Sequence, residues 1–330
     1  MIKVENAPLW ISVYDRPNHF RLCIESLARN KEASNTILYI SSDGPVDDLS
    51  SEKVSQVRDY IKSIRGFKDV IPFLPEENTR GEIKKKVLNE VRSNHSKYIL
   101  TEDDNVFSPV ALNFFNTGLR LYESDQNVIA VSGYIYPGFP AKSCEQIFLR
   151  CIACWGIGLW RDKDLSLSYD EVGLSNEVLS NKELFRKVNN ALPHAAPMIR
   201  AISNGQLTAG DVTRSIFAIK HNKYSVYPSV SLVRNIGHDG SGEHCGLNST
   251  YSTQVIADQP TAFNIEKPTY AAAADEEWLA NFFGGKWSKF YGWLIFWDLN
   301  AKYFISRLFF RGILKIYGLG YRIRLFLRQY

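Results

Sequence analysis

The run from Lys97 to Pro109, KYILTEDDNVFSP, constrains the fold more than any other stretch of this chain. Tyr98, Ile99 and Leu100 form an apolar run of strand length, and Glu102, Asp103 and Asp104 follow at once. Asn105 and Pro109 break the strand, and VALNFFNTGLRLY then begins a helical pattern. Neighbouring carboxylates repel one another, so a fold carries them at a strand end chiefly where a cation is near. In open α/β sheets, ligands collect beyond the carboxyl ends of the strands. Hard divalent ions such as Mg²⁺ or Mn²⁺ take one or two carboxylates together with the oxygens of a substrate phosphate. The plain alternative is a solvated acidic turn, and the rest of the chain has to decide.

Upstream, strand and helix patterns alternate. Leu9 to Tyr14 (LWISVY) reads as a buried strand ended by Asp15-Arg16-Pro17, and HFRLCIESLARN follows as a helix with Phe20, Ile24 and Leu27 on one face. Thr36 to Ser41 is a second strand, closed by the turn Ser42-Asp43-Gly44-Pro45. A polar helix over 51–64 leads to a third strand near Val70 to Phe73, and the turn from Glu77 to Gly81 opens a helix over 82–92. This alternation predicts an α/β fold with a mostly parallel, doubly wound sheet. Asp15-Arg16, Asp43, Arg80-Gly81 and Glu102–Asp104 then all fall at strand ends, which a chance acidic turn does not explain. Neither a G-x-G-x-x-G fingerprint nor a P-loop occurs in this half. That argues against a dinucleotide oxidoreductase, a kinase or an ATPase, and leaves phosphate to a metal ion and basic side chains.

The middle of the chain is less regular. Gln146 to Trp160 is apolar and contains CIACWGIGLW, and Ala209-Gly210-Asp211 precedes the helical run TRSIFAIKHN. Asn235 to Gly246, NIGHDGSGEHCG, is too rich in Gly and His for a core and reads as a loop able to close over a ligand. Five cysteines without regular spacing fit a reducing compartment rather than a disulfide framework. Cys151 and Cys154 lack a second pair at zinc spacing and read as buried thiols.

In chain order these residues resemble the GT-A class of nucleotide-sugar glycosyltransferases, and more narrowly the N-acetylglucosaminyltransferase I group and bacterial family-2-like glycosyltransferases. Tyr14-Asp15-Arg16 looks like that group's first-strand CDR, Ser42-Asp43-Gly44 like its base-facing aspartate turn, and Gly81 with Lys84 like its G-x-x-K helix start. Glu102-Asp103-Asp104 matches its EDD, and Gly156-Ile157-Gly158 with Trp155 and Trp160 is similar to its acceptor-side Gly/Trp loop. Asp211 and Arg214 fall where the group has a catalytic aspartate and an arginine three residues later, although Ala209, Gly210 and Val212 replace its flanking tryptophans. The resemblance covers about 8–245 and implies a GT-A (Rossmann-like) fold and inverting sugar transfer from a UDP-sugar, with Mn²⁺ or Mg²⁺ as cofactor. It implies that Asp104 holds the metal. Arg16, Asp43, Arg80, Lys84, Glu102 and Asp103 would bind the donor, and Asp211 would be the catalytic base, with Asp239 or Glu243 as substitutes. Trp155, Trp160 and Arg214 would stand on the acceptor side, and His238 or His244 would face metal or diphosphate.

Charge adds a partner. From Lys286 to Tyr330 nine Lys/Arg stand against the single acid Asp298, while the chain as a whole carries only +4. Leu299, Tyr303, Phe310, Ile313, Leu314 and Tyr317 recur at helical spacing, and Arg307, Arg311 and Lys315 form a separate stripe. With Trp287, Trp293 and Trp297 nearby, the segment reads as lying in a membrane interface. Its apolar half is too large for an arm that tracks nucleic-acid phosphates. The expected organisation is a catalytic domain over 1–268, with a donor half (1–125) and an acceptor half (126–268) that carries the 235–246 lid. A basic aromatic helical tail follows over 269–330. With no signal pattern and no uncharged apolar run of spanning length, the expected place is the cytoplasmic face of the cell membrane. There the acceptor would be a glycan or lipid-linked oligosaccharide in surface polysaccharide or glycolipid assembly. Two rival readings are a non-catalytic nucleotide-sugar-binding protein of the membrane surface and a sugar nucleotidyltransferase.

Overall fold

Each apolar run of the first hundred residues becomes a strand, and each amphipathic stretch between them a helix. The computed structural model describes residues 5–140, 146–166, 170–241, 247–259, 273–301 and 309–318. In chain order come β1 (Leu9–Val13), α1 (Pro17–Ala28), β2 (Ile37–Ser42), α2 (Asp48–Ser63), β3 (Asp69–Phe73), α3 (Glu82–Asn94) and β4 (Lys97–Glu102). Then follow β5 (Asn105–Phe107), α4 (Ala111–Leu121), β6 (Val128–Ser132), β7 (Ile147–Leu149), β8 (Ile157–Trp160) and α5 (Arg161–Ser166). The rest is α6 (Glu171–Ser180), α7 (Lys182–Ala191), α8 (Ala196–Ser203), α9 (Gly210–His221), β9 (Tyr224–Tyr227), β10 (Val233–Asn235), α10 (Ser249–Ser252), α11 (Ala273–Phe282) and α12 (Gly285–Asn300). Eight strands make a mixed, mostly parallel sheet in the order β3-β2-β1-β4-β8-β6-β9-β7, as the alternation predicted. β5 and β10 form a separate antiparallel pair.

The chain divides into two compact units, the first comprising 1–147, 153–166 and 226–268. Its β1 is buried on both faces, with Leu9 and Ile11 fully covered and Trp10 and Val13 nearly so, as a central parallel strand requires. β1 pairs in parallel with β2 on one side and β4 on the other. From β1 the chain winds outward through β2 to β3, then returns across both to β4. The strand order therefore reverses between β1 and β4, and ligands of such sheets bind where it reverses. Ser12 lies opposite Glu102, so the chain leaves both strands side by side, towards Arg16 and towards Asp103. α1 fixes what comes next. Its Ser26 Oγ accepts from the Phe107 amide at 2.9 Å, and Asn30 donates to the Ser108 carbonyl and accepts from the Leu112 amide.

At the other end of β4 a buried polar knot holds α5. Asp164 is fully buried and accepts from Arg92 and from the Tyr98 hydroxyl. Lys163 reaches the carbonyls of Tyr122, Asp125 and Val128 at 2.7–2.8 Å. Removing one member of a buried ion pair leaves the other charge uncompensated. Asp164→Ala should therefore lower stability by about 3–5 kcal/mol, read as a fall in the midpoint of urea unfolding. An unchanged midpoint would show that Arg92 finds water instead.

The second unit comprises 148–152, 167–225 and 269–330 and is mainly helical. α12 belongs to it by packing: Leu294, Ile295 and Phe296 are buried, and Phe185 of α7 lies 4.7 Å from Phe296, ring centre to ring centre. Asn189 of α7 donates to the Lys289 carbonyl, and a Cβ on Gly292 would come 2.2 Å from Asn189 Oδ1, so α12 needs its glycine there. Arg150 pairs with Glu276 of α11. The boundaries thus differ from those read in the sequence. α11 and α12 are not parts of a detached tail, because Leu279, Ala280, Leu294, Ile295 and Phe296 are buried and α12 packs on α7. Nor does one helix carry the whole apolar stripe, since α12 ends at Asn300 with Ala301 extended, and a further helical segment spans 309–318. Tyr303 and Arg307 lie outside the described residues.

Candidate active site

Arg16 stands at the N-cap of α1 but makes no side-chain cap bond. Its guanidinium turns instead to the acidic run, with Nε and Nη2 on the two oxygens of Asp103 and Nη1 on Asp104 Oδ2 at 3.1 Å. Asp103 and Asp104 are 3% and 4% exposed, so one guanidinium faces two buried acids and the cluster keeps a negative excess. Burial pushes Asp103 up to about 7; Arg16 pulls against that rise and Asp104 adds to it. Burial also works against the charged Arg16, but the two carboxylates outweigh it and raise its pKa. Burial drives Glu102 up to about 7 as well, with Asp104 adding and Lys84 opposing. The Glu102 side chain nevertheless reaches water, whose solvation limits the rise.

The neighbouring rim is built by Asp43. Its oxygens accept from the amides of Gly44, Thr79 and Gly81 at 2.8–3.0 Å and from the Thr79 hydroxyl at 2.9 Å. These bonds, the backbone amides chiefly, outweigh the opposing effect of burial and hold the Asp43 carboxyl below its usual range. Arg80 and Gly81 both adopt the left-handed conformation, at φ +54° and +86°. Arg58 donates to the carbonyls of Ser42, Asp43 and Pro75, closing the ends of β2 and β3. The expected base contact at Asp43 therefore has to share oxygens already engaged in holding the turn. Arg80 and Lys84 are exposed beside it.

A third group comes from far along the chain. Asn235 lies opposite Asn105 in the β5–β10 ribbon and donates to Asp104 Oδ1 at 2.9 Å. The Ile236 amide donates to the Asp104 carbonyl, and Asn235 Oδ1 accepts from the Gly237 amide and meets His238 Nδ1 at 3.0 Å. Gly237 is obligatory here, because a Cβ would fall 2.1 Å from Asp104 Oδ2. His238 is half-buried; burial lowers its pKa and the charge of Asp104 opposes that. Its ring joins Trp155, Tyr251 and Tyr134 in an aromatic group, Trp155 lying 4.6 Å from Tyr134 and 5.5 Å from His238. Gly156, at φ +72°, turns the chain from Trp155 into β8, with Phe107 too close to admit a Cβ.

Other expected residues stand elsewhere. Trp160 is not on an acceptor side: it is 4% exposed, its indole N–H donates to the Leu119 carbonyl, and Lys163 lies 3.9 Å over its ring. It pairs with Lys97 at the start of β4, the end away from the acids, where the strand buries it as core. Asp211 and Arg214 belong to the second unit. Asp211 lies in the first turn of α9, with Ala209 as the N-cap, so capping is not its role. Its surroundings push its carboxyl up by burial, the Val212 amide and Arg214 opposing, although the side chain is exposed to water. Arg214 is buried. Asp239 is held by Ser241 and by His19 at 3.1 Å, and its pKa is lowered chiefly by Ser241, which makes it a poor base. Glu243 and His244 lie outside the described residues, as does most of the second half of the expected lid.

Among the described residues no three His, Cys, Asp or Glu side chains gather as a metal site. Among these residues a cation held by side chains alone does not fit. The buried, negatively charged Asp103–Asp104 pair does suit a hard ion that brings phosphate oxygens and water for its other positions.

No family model and no curated protein matches this chain. Among solved structures, a mannosyltransferase, PcManGT from Pyrobaculum calidifontis in complex with GDP-Man and Mn²⁺, is 11% identical at a TM-score of 0.40, covering 97% of this chain and 86% of that one. TarS of S. aureus is 10% identical at a TM-score of 0.34, over 50% of this chain and 29% of that one. Its 1-349 form is 9% identical at 0.39, over 71% and 61%. The chain thus spans under a third of TarS and about three-fifths of the shorter form.

Proposed function

We propose that this chain is a metal-dependent, inverting glycosyltransferase that moves a sugar from a UDP-sugar to a glycan or lipid-linked acceptor. The observation that carries the reading is the buried Asp103–Asp104 pair beside Arg16 at the point where strand order reverses between β1 and β4. Asp104 would hold Mn²⁺ or Mg²⁺ together with the donor's phosphates. A bound divalent ion neutralises the leaving diphosphate as a Lewis acid. Arg16 and Lys84 place positive charge along the same rim, Glu102 and Asp103 face ribose and sugar, and the 79–81 turn lies beside the base. Trp155 offers an aromatic face for a sugar ring, and Asp211 takes the proton of the acceptor hydroxyl. Incubation with a UDP-sugar panel and Mn²⁺ tests the whole. Slow release of UDP, faster with acceptor, supports the transferase. Pyrophosphate formed from UTP and a sugar phosphate would point to a nucleotidyltransferase, and binding without turnover to a scaffold.

The reading extends to a membrane surface. Trp287 is 51% exposed, Phe309 62% and Ile316 76%, and Lys286, Arg311 and Lys315 are exposed with them. Trp287 and Phe290 meet Tyr317, so the aromatic and basic side chains of α12 and 309–318 lie along one another. No helix among the described residues is long and apolar enough to span a bilayer. Each basic residue near an anionic surface contributes on the order of 1 kcal/mol, less as salt rises. The chain should float with anionic liposomes at low salt, and Lys286→Glu with Lys315→Glu should release most of it. Equal flotation of that variant would mean another surface makes the contact.

A further inference from the structure

The ribbon that holds Asp104 has a second face. Strand residues alternate sides, so Arg234 and its opposite number Val106 point away from Asn235 and Asn105. On that side lie Leu22 and Glu25 of α1 and Arg29 at its C-cap, spaced along one stripe. Together with Ile236 these residues line an open cleft of about 420 Å³, separate from the acidic cluster and within the size range of small-molecule sites.

Its charges are unspent. No hydrogen bond or ion pair engages the side chain of Arg29 or Arg234 among the described residues, and Arg234 Nε is buried without a partner. A buried donor left unmade costs free energy, and such a group in a native fold calls for a ligand or an ordered water. Guanidinium groups match oxyanions best, phosphate above all. Glu25 beside them would repel a bare anion but accepts readily from hydroxyl groups. Leu22, 49% exposed, with Val106 and Ile236 supplies an apolar wall.

We propose that this cleft binds a phosphorylated sugar or polyol. The phosphate accepts from Arg29 and Arg234, the hydroxyls donate to Glu25, and the C–H face lies on Leu22, Val106 and Ile236. The inference does not depend on the transferase reading, since it uses none of the residues assigned there.

Calorimetric titration of the full chain tests it, with a hexose 6-phosphate as one probe and inorganic phosphate as the other. The hexose phosphate should bind saturably with UDP and Mn²⁺ already present, and at least about tenfold more tightly than inorganic phosphate. Arg234→Gln and Arg29→Gln should each weaken it by about tenfold or more, with Arg234→Lys retaining part of the affinity. Should Arg234→Gln fail to fold, the exposed Arg29 carries the test alone. Binding unchanged by these substitutions overturns the proposal, as does complete displacement by UDP, which would place the probe at the acidic cluster. Inorganic phosphate binding as tightly as the hexose phosphate overturns the sugar or polyol assignment and leaves a simple anion site.

Discussion

Asp104→Ala is expected to abolish metal-dependent donor binding. Three attachments converge on this residue: Asn235 on Oδ1, Arg16 on Oδ2 and the Ile236 amide on its carbonyl. The carbonyl contact survives the substitution, and Arg16 keeps Asp103, so the local fold has reason to persist. What goes is the buried charge proposed to hold a divalent ion. Calorimetry with UDP and Mn²⁺ should show a loss of at least a hundredfold, about 2.7 kcal/mol, while binding of UDP without metal changes little. Asp104→Asn separates charge from shape, because the amide can still face Asn235; it should bind metal-bearing donor nearly as poorly. Unchanged affinity in both variants would move the metal role to Glu102.

Asp211→Asn should give the opposite pattern. Donor binding stays nearly intact while turnover falls by roughly two to four orders of magnitude, the scale of a lost general base. Asparagine keeps the size of the side chain and most of its local contacts, so folding is not the variable. Asp211 suits the role because its surroundings raise its proton affinity while water, and so an acceptor, can still reach it. Steady-state kinetics at saturating donor reads the effect. Normal turnover would mean the base lies elsewhere, and Asp239, committed to Ser241 and His19, is not the natural replacement.

What the sequence made legible was local. LWISVY, TILYIS and KYILTE each show an apolar run cut by a turn residue, and each became the strand it promised. Because those strands are parallel, their carboxyl ends share one edge, and the polar clusters at Arg16, Asp43 and Glu102–Asp104 followed. Contacts across long separations left no such trace. Nothing in the sequence pairs Asn235 with Asp104, since that contact depends on β10 finding β5 after more than a hundred intervening residues. Trp160 misled because indole rings serve both stacking and cores, and only the register of β8 on β4 tells which. The start of the tail was not legible either, because the sequence did not show that Phe296, just before the apolar stripe, packs on Phe185 of the chain's own α7.

The clamp at Asp43 has a thermodynamic consequence. Holding a backbone residue in one conformation costs about 1–2 kcal/mol of entropy, and a non-glycine residue in the left-handed region adds about 1–2 kcal/mol more. Thr79, Arg80 and Gly81 meet those costs when the chain folds, because Asp43 already engages both amides and the Thr79 hydroxyl. A ligand arriving at this rim would therefore have no backbone left to order, only the exposed side chains of Arg80 and Lys84. If the donor sits here, as proposed, its fit would be tested against a backbone already set, so discrimination on this side would be fixed before any encounter takes place.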